Sequence, residues 1–275
     1  MIRSILAVVE DGDVAAPLLM AASAMAKAHG AFLEVAALTP APMASPEVAP
    51  FGPLYLPEAV LMGDDAANIA RVRHHLENTG CRYDVIGFHN DAAWLAGDVR
   101  RSRQIADIIL IGTEDCWQTS WLRMRVIETL IQSAGTPLLI LPVGGVLGPI
   151  RRAVLGWKPS PEANRALHDL VELAEPGAII DVVTVGKTLH ECEKTSEGHA
   201  EVKRHLERHG LKAEGRWIVN DEKIEAETLT SYAREISADL LVVGGFSHSR
   251  LREVILGGVT RDFAHHSELP VLIAG

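Results

Sequence analysis

Apolar positions in this chain gather into short unbroken runs, separated by longer stretches with helical spacing. IILI before Gly112, LLIL after Pro137, LLVV before Gly244 and VLIA after Pro270 are each too short for a helix and lack polar alternation. Such runs predict strands buried on both faces. Across residues 1–142 the pattern gives strands near 3–9, 32–38, 83–88, 107–112 and 137–142, with helices near 14–29, 57–79, 94–105 and 122–134. From residue 150 onward it gives strands near 152–157, 178–185, 214–219, 239–244 and 270–274, with helices near 160–174, 190–209, 223–237 and 258–267. Gly30, Gly80 and Gly210 supply helix stops. Strands alternating with helices at this spacing predict an α/β fold with a doubly wound parallel sheet covered on both faces.

The same order of elements occurs twice. Ala106-Asp107 and Ala238-Asp239 open matching strands 132 residues apart, and Pro137 and Pro270 open the closing strands 133 apart. Each half begins alike, with Arg3-Ser4-ILAVV in one and Arg152-AVLGW in the other. Whole elements recurring in one order imply two copies of a domain. The expected boundaries are 1–143 and 150–275, with the glycine-rich VGGVLGP at 143–149 as linker.

The chemistry is concentrated near the C-terminus. After the strand LLVV come Gly244, Ser247 and Gly257 at offsets of zero, three and thirteen, then Gly258, Val259 and Thr260 at a helix start, and last the strand PVLIA. A small-residue loop leading into a helix can bring several backbone amides onto one anion. The block resembles the C-terminal ATP-binding signature of the universal stress protein family. That signature has glycine at all three offsets, followed by serine or threonine; here Ser247 replaces the middle glycine and Gly258 the hydroxyl residue, with Thr260 two residues on.

The resemblance implies a tandem member, with two five-stranded sheets of order 3-2-1-4-5 packed as an internal pseudo-dimer. It further implies a non-catalytic stress-response module taking ATP or a related adenine nucleotide, with Mg. If strands 1 and 4 are neighbours, a crevice opens at their carboxyl ends. In the second half that crevice is bounded by Gly244, Ser247, Gly257, Gly258, Val259 and Thr260 on one side and by Lys158 and Ser160 on the other. Lys158 stands where the family has a carboxylate. In the first half Asp11-Gly12-Asp13 matches the family's turn after strand 1, but Asp115 and the bulky run Met124-Arg125-Val126-Ile127 are expected to keep a triphosphate out.

Charge and cysteines narrow the class. A net charge of −10 disfavours nucleic acid as a general partner, since phosphate binding normally needs a basic face. No apolar stretch approaches the roughly 20 residues of a membrane span. Cys81, Cys116 and Cys192 are sparse and unpaired in pattern, which points to a reducing cytoplasm. His205 and His209, four apart with His199 nearby, have metal-ligand spacing, although the charged helix around them favours solvated histidines. Arg250 and Arg252 lie in the glycine loop, and Glu191, Glu193 and Glu197 are expected on one helix face. Residues 40–57 hold six of the 14 prolines and predict an extended loop.

Two other functions fit the same fold. One is a nucleotide-free interaction protein. The other is an ATP-hydrolysing enzyme, against which stands the lack of an SGGxDS, HIGH or KMSKS-type motif and of a nucleophile paired with a base. A homodimer of tandem chains is a further expectation.

Overall fold

The computed structural model describes residues 2–41, 58–90, 92–102, 105–133, 135–145, 147–195, 198–220, 224–245, 263 and 267–275. The first half runs β1 (Ser4–Val9), α1 (Ala16–His29), β2 (Phe32–Pro40), α2 (Glu58–Leu76), β3 (Arg82–Asn90), α3 (Ala92–Ser102), β4 (Ile108–Gly112), α4 (Ser120–Ser133) and β5 (Leu138–Leu141). The second runs β6 (Ile150–Gly156), α5 (Pro161–Leu173), β7 (Ala174–Gly186), α6 (Leu189–Thr195), α7 (His199–Arg208), β8 (Lys212–Val219), α8 (Glu225–Glu235), β9 (Leu240–Gly244) and β10 (Val271–Ala274). The helix expected at 258–267 falls largely outside the described residues, as does most of the proline-rich loop.

Strand order across the sheet is β3-β2-β1-β4-β5-β10-β9-β6-β7-β8. Within each half this is the 3-2-1-4-5 order, with every neighbouring pair parallel. Reversal of winding direction between strands 1 and 4 sends α1 and α2 to one face and α3 and α4 to the other, where each pair packs together.

The two sheets are not separate layers. β5 and β10 pair antiparallel, with Leu139 opposite Leu272, and join them into one sheet of ten strands. Both closing strands are four residues long and fully buried. Left alone, each would be a bare apolar edge; pairing satisfies their amides and carbonyls together.

The recurring Ala-Asp pair has a structural cause. Asp107 Oδ2 accepts the amides of Arg3 and Ser4 at 2.7 and 2.9 Å. Asp239 Oδ2 accepts those of Arg151 and Arg152 at 2.8 and 2.9 Å. In each half the carboxylate ties the start of strand 4 to the start of strand 1. The match also sets a register between the halves: Arg3 corresponds to Arg151, so Glu10, directly after β1, corresponds to Lys158.

Two elements differ from the sequence expectation. The helix predicted at 190–209 is divided into α6 and α7, and α7 begins from Gly198, whose φ of 94° is a left-handed conformation that glycine adopts without steric cost. The strand predicted at 178–185 begins at Ala174, because α5 ends at Leu173 and passes straight into extended backbone.

Candidate functional site

Both crevices lie at the carboxyl ends of the central strands. In the first half β1 delivers Glu10 and β4 delivers Gly112, followed by a 3₁₀ turn at Glu114–Cys116 and then α4. Glu10 is only 5% exposed. Its Oε2 accepts the backbone amides of Gln118 and Thr119 at 2.9 and 2.8 Å, and its Oε1 accepts the Thr119 hydroxyl at 2.6 Å. Thr119 is the N-cap of α4, since its carbonyl accepts the Arg123 amide. A carboxylate there meets unpaired amides and the positive end of the helix dipole. Arg123, 1% exposed, donates from Nε to the Gly112 carbonyl at 2.9 Å. Burial lowers the pKa of its guanidinium to about 10, against the opposing pull of Glu114 and Cys116, so it remains cationic at neutral pH.

The turn after β1 has other partners than a ribose. Asp11 Oδ1 accepts the amides of Asp13 and Val14, and its Oδ2 pairs with Arg71 of α2 at 3.1 Å. Asn68, 2% exposed, accepts the Gly12 amide and donates to the carbonyl of Glu10. A Cβ at Gly12 would stand 2.7 Å from the Val72 amide nitrogen, so α2 lies directly on this turn. The residues expected to exclude a triphosphate also act otherwise: Asp115 points to solvent, and Val126 and Ile127 are fully buried core residues of α4. Glu10 was marked in the sequence only by its place directly after an apolar strand.

In the second half the structure brings Lys158, Ser160 and Gly244 to one end of the sheet, on adjacent strands β6 and β9 and their loops. Ser160 is the N-cap of α5, accepting the Ala163 amide at 3.0 Å, with Pro161 at the first helical position. Gly244 has a packing reason to be glycine: a Cβ would lie 2.6 Å from the Ala163 amide nitrogen. Lys158 is half-buried and acts electrostatically on Glu225 of α8. That carboxyl is held above its usual range, chiefly by burial and further by Glu191, while Lys158 pulls it down. Ser247, Gly257, Gly258, Val259 and Thr260 lie outside the described residues, as do Arg250 and Arg252.

The histidines are not simply solvated. His199 is 9% exposed, and its Nε2 lies 2.8 Å from Thr184 Oγ1. That hydroxyl donates its one proton to the Trp157 carbonyl at 2.9 Å, so His199 Nε2 must carry the proton between them. Burial lowers the pKa of His199 and so favours its neutral form. His205 contacts the rings of His168 and His209, beside a cleft of about 370 Å³ between α5 and α7. Among the described residues no group of three or more histidine, cysteine, aspartate or glutamate side chains could hold a metal ion.

The His199 geometry sets a pH dependence. Its folded pKa lies below the unfolded value near 6.5. The unfolded chain therefore binds more protons as pH falls through that value, and stability declines toward the folded pKa. His199→Gln is expected to remove this component. The wild-type minus variant difference in denaturant midpoint should shrink between pH 8 and pH 5; a pH-independent difference would contradict the buried neutral histidine.

A doubly wound sheet whose site sits where strands 1 and 4 diverge, beside helix N-termini, is of the class that holds anionic cofactors. Residues 149–275 match the family model described as the universal stress protein family, which places the second half of the chain in that family. It is 27% identical over 147 residues to a universal stress protein of Synechocystis sp., a match covering 53% of this chain and 49% of that one. The matched stretch thus spans about half the length of that relative. It is 28% identical over 116 residues to the stress response protein NhaX of Bacillus subtilis, covering 42% of this chain and 67% of that one. A universal stress protein from Archaeoglobus fulgidus has the same fold, with a TM-score of 0.69 over 98% of this chain and 97% of that one at 14% identity. Among the described residues no helix is long and apolar enough to cross a membrane.

Proposed function

We propose that this chain is a tandem universal stress protein whose two halves, 1–143 and 150–275, have diverged in ligand use. The second half binds ATP or a related adenine nucleotide, with Mg, without turning it over, and the first half binds none. The observation that carries this reading is the charge inversion at equivalent positions. At the position where the first half sets Glu10 against the N-terminus of α4, the second half carries Lys158. A lysine cannot accept hydrogen bonds from amides, and it suits an anion shared with them. Gly244, Ser247, Gly257, Gly258, Val259 and Thr260 supply the loop and helix start, and Ser160 the adjoining cap.

Photoaffinity labelling of the intact chain with an azido-ATP, followed by peptide mapping, tests the assignment. Label is expected in peptides from 150–275. Label confined to 1–143 would overturn it.

A nucleotide-free interaction protein is the second reading, favoured by the contact at Gly244. Its close approach to α5 explains one signature glycine by packing alone. On that reading no peptide is labelled above a competition control with unlabelled ATP.

A further inference from the structure

The first half carries a complete anion contact whose anion belongs to the chain itself. Gln118 and Thr119 present two amides and a hydroxyl, all directed at the Glu10 carboxylate within 2.9 Å. The carboxylate is buried, so the contact is a desolvated one and not a surface cap. Arg123, also buried, stands in the first turn of α4 and holds the Gly112 carbonyl. Two further polar atoms in the same 113–119 segment, Thr113 Oγ1 and Trp117 Nε1, are buried without a hydrogen-bond partner. A carboxylate has only two oxygens, and both are engaged. The position equivalent to Glu10 in the second half is Lys158, of opposite charge, so the two halves differ at this point of the sheet.

We propose that Glu10 is the resident anion of the first half, occupying at the start of α4 the place a phosphate oxyanion would take and closing that half to phosphate-bearing ligands. Glu10 is thus the residue that determines the ligand specificity of this half. Its removal leaves the amides of Gln118 and Thr119 and the Thr119 hydroxyl without their acceptor. The inference extends the asymmetry proposed above but does not need a nucleotide in the second half.

The test uses the full chain carrying Glu10→Ala, in the Lys158→Glu background so that the second half contributes no phosphate response. The Lys158→Glu single variant is the reference. Thermal unfolding is measured in sodium chloride and in sodium phosphate at matched ionic strength, with pyrophosphate as a second arm and acetate as a third. In chloride Glu10→Ala is expected to unfold at lower temperature than the reference. Phosphate should restore it, with a midpoint rising with the logarithm of phosphate concentration beyond saturation, while the reference shows no such rise. A response to phosphate and acetate alone identifies a single-oxyanion pocket; a stronger response to pyrophosphate shows room for a nucleotide's phosphate chain. Equal midpoints in phosphate and chloride, or the same rise in the reference, would overturn the proposal. If Glu10→Ala does not fold in chloride, refolding yield from denaturant in phosphate against chloride decides the same question, and an unchanged yield overturns it. Labelling of the second half by azido-ATP is independent of all these outcomes, so the two proposals fail separately.

Discussion

Leu272→Asp is expected to remove most or all of the folded population. Leu272 is fully buried on β10, opposite Leu139 of β5 in the antiparallel seam and beside Val242 of β9. An aspartate there has no cation within the seam and replaces an apolar contact on both neighbours. Leu→Ala at such a site costs about 2–5 kcal/mol from lost burial and the cavity left behind. Burying a carboxyl adds a desolvation cost, taking the total above ~4 kcal/mol. Since domains of this kind are stable by only about 5–15 kcal/mol, the variant should be largely unfolded or aggregated. Leu272→Ala, studied by urea unfolding, serves as the milder comparison. A loss under about 1 kcal/mol for the aspartate variant would mean the seam is open to water and the ten-stranded sheet is not continuous there.

Lys158→Glu should have the second large effect, on binding. A charge-assisted contact contributes about 1.5–3 kcal/mol, and each 1.4 kcal/mol is about tenfold in affinity. Loss of the contact together with added repulsion should therefore weaken ATP binding by ~10-fold to 100-fold or more. The side chain is half-buried at a loop and acts on the buried Glu225, so the glutamate also adds like charge there, and affinity is to be measured at a temperature where the melting curve shows the variant folded. Lys158→Ala should fall between the two. Unchanged ATP affinity in Lys158→Glu would remove the lysine from the site.

Much of the fold was legible because its signals are local. IILI and LLVV are buried on both sides in the sheet and read as such from composition alone. The two Ala-Asp pairs marked the repeat, and the structure shows why aspartate recurs: each ties two strand-opening amides across the sheet. The seam was less legible. PLLIL and PVLIA read as closing strands that would meet, but whether they meet face to face or edge to edge depends on backbone pairing that no local pattern encodes.

The site was legible in its outline and not in its occupants. Lys158 and Ser160 were expected at the crevice by strand order, and they follow β6 at the carboxyl end of the sheet, next to β9. Ser160, however, is engaged as a helix cap, and Gly244 is constrained by α5, a helix far from it in the chain's local pattern. Glu10 was hidden by its neighbours, since Asp11-Gly12-Asp13 carried the family likeness while the preceding residue carried the contact. Asp115, which the spacing places beside the loop after β4, is exposed. His199 sits in a strongly amphipathic helix, yet its one buried face is set by Thr184 on a neighbouring strand, a contact 15 residues away in sequence.

The central claim is that one half of the chain takes a nucleotide and the other does not. Equilibrium dialysis with doubly labelled ATP and Mg, followed by chromatography of the bound fraction, tests it most directly. One nucleotide per chain is expected at saturation, recovered as intact ATP. Two nucleotides per chain, none, or recovery as ADP and phosphate would contradict it.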